Sequence, residues 1–233
     1  MRSEQNIGGK RCYIYENDQA DNFLIQAIDE HDLELLDREI EIIKELSSNK
    51  TFSLAAFLIE DWNEELSPWE APAVFGNNGF GAGAADTLAF ITDTLIPYIN
   101  NVYMNNSNNS KTYFYLGGYS LSGLFALWAA YQTDIFRGIA AVSPSVWFPD
   151  WDNYMTSHSI QTLKVYLSLG NKEEKTKSKV MSKVGDNIRK QYEVLCEESN
   201  EKACILEWNP GNHFVDSEIR MAKGFAWLLN NGR

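Results

Sequence analysis

Residues 113–130 read YFYLGGYSLSGLFALWAA, and their order decides the fold. An apolar run of strand length, Thr112 to Leu116, enters Gly117-Gly118-Tyr119-Ser120-Leu121-Ser122-Gly123. The chain leaves that turn into an almost wholly apolar helical run, Leu121 to Tyr131. A turn this tight accepts only small residues beside its central serine, and it pushes the hydroxyl out at the carboxyl end of the strand. Gly118 and Ser122 hold the flanking places, and Gly123 lets helix pack closely on strand. The strict pattern Gly-x-Ser-x-Gly is broken at position 122, where the next smallest tolerable residue stands. A plain Ser/Gly-rich turn holding a phosphate on the helix N-terminus is the alternative reading.

On both sides of this segment strand-like and helix-like runs alternate. Arg11 to Tyr15, Asn22 to Ile28, Phe52 to Ile59, Arg137 to Val142, Leu163 to Leu169 and Ala203 to Trp208 have the length and apolar content of strands. Asp29 to Leu46 carries Leu33, Leu36, Ile40 and Ile43 at helical spacing, and Ala84 to Ile99 carries Leu88, Ile91, Leu95 and Ile99. Lys179 to Glu197 and Ser217 to Leu229 are further helices, and a loop rich in Trp, Pro and Gly covers Glu60 to Gly83. Such alternation implies βαβ crossovers, hence an α/β fold with a mostly parallel central sheet and helices on both faces. No repeat or Pro/Ser-rich linker divides the chain, so residues 1–233 are expected to form one domain.

Composition narrows the function. Of 233 residues 44% are hydrophobic, enough for a sizeable core, and 32 acidic against 20 basic side chains give a net charge of −12. Such a surface repels phosphate backbones and anionic bilayers, so neither nucleic acid nor a membrane is an expected partner. No apolar run approaches the roughly 20 residues of a membrane helix, and Met1 to Lys10 lacks the apolar core of a signal peptide. Cys12, Cys196 and Cys204 show no metal-ligand spacing and cannot all pair, which fits a reducing, cytoplasmic setting. Two Asn-x-Ser matches in the polar run Asn105 to Ser110 then have no secretory context.

A serine nucleophile needs a base, and the base an orienting carboxylate. With this kind of turn the chain order is Ser, then Asp/Glu, then His. His31 comes too early. His158 looks like an exposed loop residue, whereas His213 follows the last strand in Trp208-Asn209-Pro210-Gly211-Asn212-His213, where a loop can swing an imidazole over the sheet end. The acid should follow the strand ending at Leu169-Gly170; Glu173 stands ahead of Glu174, with Asp150 and Asp152 as weaker candidates.

The sequence resembles the putative-esterase group of the α/β-hydrolases, which includes esterase D, feruloyl esterase and siderophore-ester hydrolase relatives. The resemblance spans roughly Asn22 to Leu229. Its specific part runs from the Ser120 turn through Leu124-Phe125-Ala126-Leu127 to Val142-Ser143-Pro144-Ser145-Val146-Trp147; Leu66-Ser67-Pro68, Gly81 to Ala84, Phe90-Ile91 and Leu95-Ile96-Pro97 support it. It implies the α/β-hydrolase fold and an acid three residues past the strand-ending glycine, which selects Glu173 after Gly170. It also implies two backbone oxyanion donors, one after the nucleophile at Leu121 and one in the loop Asp29-Glu30-His31, where relatives usually carry Asp-Gly. The chain is shorter at its N-terminus than typical members, which implies that one or more outer strands are missing.

The expected function is a serine carboxylic-ester hydrolase with Ser120, His213 and Glu173 as its triad, requiring no metal or organic cofactor. A thioesterase, an acyltransferase and a non-catalytic binding module of the same fold are the alternatives. Trp62, Trp69, Trp147, Phe148 and Trp151 fall in loops at the sheet end and are expected to rim the site, with Trp62, Trp69 and Trp147 contacting substrate. The segment Ser143 to Ile160 is too short for a lid domain, so soluble short-chain or aryl esters are the expected substrates, and polyanionic esters are expected to be repelled.

Overall fold

The computed structural model describes residues 2–74, 76–104, 112–198 and 203–231. The polar run 105–110 therefore lies outside the described residues. Among the described residues eight strands form one sheet: β1 (Arg2–Ile7), β2 (Lys10–Tyr15), β3 (Asn22–Ile28), β4 (Phe52–Leu58), β5 (Tyr113–Tyr119), β6 (Phe136–Val142), β7 (Lys164–Gly170) and β8 (Ala203–Asn209). Their spatial order is β1-β2-β4-β3-β5-β6-β7-β8. Only the β1–β2 and β2–β4 pairings are antiparallel. The helices are α1 (Glu30–Leu46), α2 (Trp62–Glu65), α3 (Ala84–Ala89), α4 (Ile96–Ile99), α5 (Leu121–Gln132), α6 (Trp151–Ser157), α7 (Val184–Glu198) and α8 (Ser217–Asn230). A wider π-helical turn, Phe90–Leu95, joins α3 to α4.

The sheet is buried on both faces, which is why β4 and β7 are buried at every position. Leu36, Ile40 and Ile43 of α1 and Met221, Phe225 and Leu228 of α8 form one core layer with Leu24, Leu54 and Tyr115. The other layer gathers α5, the Ala84–Ile99 helical stretch and α7 over Phe23, Phe57 and Leu116. Helix α1 begins with reciprocal capping: Asp29 Oδ1 accepts from the Asp32 N–H at 2.8 Å, and Asp32 Oδ2 accepts from the Asp29 N–H at 3.4 Å.

One strand of the sheet, β1, goes beyond the strands expected from the sequence. Strand β1 pairs with β2 across a two-residue turn, Gly8-Gly9, whose φ values of 57° and 90° only glycine adopts freely. The segment RSEQNI hides this strand because it lies at the sheet edge, where only Ile7 is buried. The segment Ser143 to Ile160 also carries structure of its own, the two-turn helix α6. Among the described residues, no helix is long and apolar enough to cross a membrane.

Candidate active site

Because β5, β6, β7 and β8 are parallel neighbours, the loops after them all emerge at one sheet edge. Those loops carry Ser120, Ser143, Glu173 and His213 respectively. The edge at the carboxyl ends of parallel strands is where open α/β sheets place their ligands.

Ser120 sits at φ 58°, ψ −120°, a conformation costly for a residue with a Cβ and kept only where the surroundings enforce it. Here the enforcement is visible. The Ser120 N–H donates to the Val142 carbonyl at 3.1 Å, and the Ser120 carbonyl accepts from Leu124 N–H at 3.1 Å and Ser145 N–H at 3.0 Å. A Cβ at Gly118 would lie 2.2 Å from the Ser122 carbonyl oxygen, so that position must be glycine. Ser122 is fully buried and its hydroxyl donates to the Ala27 carbonyl of β3 at 3.0 Å. The departure from Gly-x-Ser-x-Gly thus fits inside the turn and ties it to the next strand.

The Ser120 hydroxyl lies 3.0 Å from His213 Nε2, and His213 Nδ1 lies 2.7 Å from Glu173 Oε2. Three residues separated by long stretches of chain are therefore joined by two hydrogen bonds in series. Glu173 is 8% exposed. Its second oxygen, Oε1, accepts from the Gly170 N–H at 2.7 Å, the Ser143 hydroxyl at 2.7 Å and Arg220 Nη1 at 3.0 Å. Burial on its own would push this carboxyl up; the bonds from His213, Ser143 and Gly170 outweigh it and hold the carboxyl below its ordinary value. Glu174 points elsewhere, pairing with Arg189 at 2.9 Å. Asp152 pairs with Lys190, and Asp150 precedes α6 in a left-handed conformation. His158 is exposed and stacks on Tyr154 with ring centroids 4.2 Å apart.

Arg220 is the residue that the sequence does not announce. It is 1% exposed, and besides Glu173 its Nη1 donates to Tyr119 Oη at 3.2 Å and Ser143 Oγ at 3.3 Å. Its Nη2 donates to the carbonyls of Pro210 and Asn212, each at 2.9 Å. The Tyr119 hydroxyl in turn donates to the His213 carbonyl at 2.7 Å. One guanidinium fork therefore holds both the carboxylate and the loop that carries the imidazole. On a surface helix an arginine ordinarily reads as solvated, so its inward place on α8 shows only in the fold.

Leu121 is the first residue of α5, and Glu30 and His31 are the first two of α1; N–H groups in a first helical turn have no acceptor within their own helix. The β3–α1 turn emerges next to the Ser120 turn, since β3 and β5 are paired through Gln26 and Gly117. The side chains of Glu30 and His31 are exposed, Glu30 pairing with Arg11 at 2.6 Å.

The aromatic rim needs correction. Phe148 is 2% exposed and Trp151 fully buried, its indole N–H donating to Gln191 Oε1 at 3.0 Å; both belong to the core. Trp69 is half-buried among Phe148, Trp151 and Tyr154, with its indole N–H on the Pro149 carbonyl at 3.0 Å, so it fastens the loop. Trp62 packs on the core near Glu60 and Asp61. Trp147 alone of the five lines the cavity of about 480 Å³ beside His213, together with Phe214, Met181, Val184 and Lys172. Phe214, 89% exposed and edge-on to the His213 ring, is the aromatic that sequence reasoning missed. Among the described residues no group of His, Cys, Asp and Glu could hold a metal ion.

In solved structures this architecture recurs. An IroE-like serine hydrolase from Shewanella oneidensis is 15% identical with a TM-score of 0.81, over 100% of this chain and 81% of that one. Siderophore hydrolase EstA from Aspergillus nidulans is 17% identical, TM-score 0.80, covering 100% and 95%. The enterobactin esterase FES from Shigella flexneri is 13% identical, TM-score 0.67, covering 100% and 60%. At these identities the likeness establishes the fold, the α/β-hydrolase architecture of those esterases. No curated protein matches the sequence. The Esterase family, described as "Putative esterase", matches residues 44–207, a span that includes Ser120 and Glu173 and stops short of His213. With more than half of its residues matched, this chain belongs to the putative esterase family and is by that membership a carboxylic ester hydrolase.

Proposed function

We propose that the protein hydrolyses carboxylic esters through a serine acyl-enzyme. The reading rests on one observation, the hydrogen-bonded series Ser120–His213–Glu173 at 3.0 Å and 2.7 Å. In the neutral enzyme His213 carries its proton on Nδ1, donated to Glu173, and Nε2 accepts from the Ser120 hydroxyl. Ser120 Oγ attacks the ester carbonyl carbon while its proton passes to Nε2. The negative charge that develops on the carbonyl oxygen is met by the Leu121 N–H and by an N–H of Glu30 or His31, donors worth about 3 kcal/mol each in comparable sites. The intermediate collapses as the bond to the alcohol oxygen breaks and the imidazolium returns its proton to that oxygen. Water, deprotonated by His213, then attacks the acyl carbon, and Ser120 leaves with its proton restored.

Substrate class follows from the walls. Trp147, Phe214, Met181 and Val184 give the cavity beside His213 an apolar side suited to a short acyl or aryl group. The helix after β6, α6, has seven residues, too few to form a lid over a lipid interface. The substrates are therefore soluble esters of small size, with rates that fall as the acyl chain lengthens and no rise on adding lipid micelles.

Labelling with a fluorophosphonate followed by peptide mapping tests the chemistry. The adduct is expected on Ser120 and absent from Ser120→Ala; an adduct on Ser122 or Ser145, or none, overturns the assignment.

A further inference from the structure

We propose that the cavity beside His213 recognises an ester bearing one free carboxylate, seated on Lys172 and Lys175. The inference deepens the ester-hydrolase reading and rests on it. Both lysines line the cavity, on the turn that follows Gly170, together with the apolar Trp147, Met181, Val184 and Phe214.

What sets them apart is that they line the cavity without a counter-charge; Lys50, Lys177, Lys179 and Lys183 also make no ion pair among the described residues, but none of them lines this cavity. Other cations of the chain are paired: Lys10 with Glu65, Lys44 with Glu41, Arg189 with Glu174 and Asp186, Lys190 with Asp152, Lys223 with Glu207. Among the described residues, neither Lys172 nor Lys175 makes an ion pair. The one carboxylate in the cavity wall is Glu173, and it is already committed to His213, Ser143, Gly170 and Arg220. The cavity thus keeps two uncommitted positive charges in a chain whose net charge is −12.

Net charge governs potential at a distance, but a ligand in the cavity feels the nearest charges most strongly, because salt screens those beyond about 8–10 Å. The repulsion expected from the overall charge is therefore reversed inside the site for an anion small enough to enter. An exposed ammonium attracts a carboxylate only modestly, so two of them together give a preference on the order of tenfold and not thousands. The apolar wall takes the methylenes between the carboxylate and the reacting carbonyl.

The test compares 4-nitrophenyl hydrogen glutarate with 4-nitrophenyl 5-methylhexanoate, a neutral ester of nearly the same shape. The glutarate is expected to have the higher kcat/KM by about tenfold at low salt, with the ratio falling towards one as salt is raised. Lys172→Gln/Lys175→Gln is expected to lower that ratio about tenfold. An equal or better rate with the neutral ester, or a ratio that the double substitution leaves unmoved, overturns the inference while leaving the serine mechanism standing.

Binding supplies a readout that does not depend on turnover. Glutarate added to Ser120→Ala should change Trp147 fluorescence with a millimolar Kd that weakens several-fold in Ser120→Ala/Lys172→Gln/Lys175→Gln. Turnover of neither ester, with Ser120 unlabelled, would instead overturn the serine-esterase reading, and the glutarate titration would still decide whether the anion site exists. No glutarate binding overturns the anion site.

Discussion

Arg220 Nη1 donates to Glu173 Oε1 at 3.0 Å, both side chains lying almost wholly out of water, while the opposite oxygen of the same carboxylate faces His213 Nδ1 at 2.7 Å. A buried carboxylate that orients a histidine must stay ionised and must not rotate. The guanidinium supports both conditions, since its charge favours the anion and its fork fixes which oxygen is left for the imidazole.

Arg220→Lys should keep the fold and lose function. An ammonium cannot reach Glu173, Tyr119 and the carbonyls of Pro210 and Asn212 at once, so kcat is expected to fall about 10- to 100-fold with KM little changed. Arg220→Met removes the charge as well and should lower kcat at least as far. That variant should also lose about 3–5 kcal/mol in urea unfolding, because it leaves a buried carboxylate short of its partner. An unchanged kcat in both variants would refute the positioning role.

Glu173→Gln and Glu174→Gln separate neighbours of similar sequence context. The amide at 173 cannot stabilise the imidazolium, and kcat should drop by about 10²–10⁴. Glu174→Gln breaks only the half-exposed pair with Arg189 and should leave ester turnover within about twofold. Equal small effects from both would point to a Ser–His dyad.

Histidine replacement gives the same kind of contrast. His213→Ala removes the group that lies between Ser120 and Glu173 and should reduce turnover by about 10³ or more, with the circular dichroism spectrum unchanged. His158→Ala loses a stack on Tyr154 at the end of α6 and should hydrolyse esters at the normal rate.

Glu39 predicts a pH-dependent stability unrelated to the triad. It lies on the buried face of α1, 4% exposed, with Gln26 Nε2 donating to Oε2 at 3.3 Å and Oε1 without a partner among the described residues. Burial first, then the nearby Asp32 and Glu218, raises its pKa to about 8 from the ordinary 4.5, against the opposing bond from Gln26. Between those values the folded protein holds a proton that the unfolded chain has released, so stability falls as pH rises through this window. Glu39→Gln should flatten that fall. Its free energy of urea unfolding should match the wild type near pH 4.5 and exceed it increasingly towards pH 8, by up to about 1.4 kcal/mol for each pH unit. Parallel curves for the two proteins would show that Glu39 does not titrate in this way.

Much of this architecture was legible because a buried parallel sheet spells its strands as continuous apolar runs. Ser120, Glu173 and His213 each stand a few residues past such a run, so strand order alone brings them to one edge. What escaped was encoded otherwise. Strand β1 is polar because its burial is slight, and its clue was the Gly8-Gly9 turn and not its hydrophobicity. Arg220 looks like any solvated helical cation until the fold shows it facing inward beside Met221 and Ala222, both buried. Phe148 and Trp151 were placed at a rim because large aromatics suit rims and cores alike, and only the course of the chain after β6 decides between them.

The hydroxyl of Ser122 on the Ala27 carbonyl has a mechanical consequence. It fastens the start of α5 to β3, whose following turn carries Glu30 and His31. In the proposed reaction these are the two pieces of backbone that must share the charge of one oxyanion. Dipoles stabilise a transition state best when they need not rearrange as charge appears, and two segments locked by a buried bond shift as one body. A glycine at 122 would restore the common pattern and free each donor to drift independently, making the site more conventional in sequence and less preorganised in function.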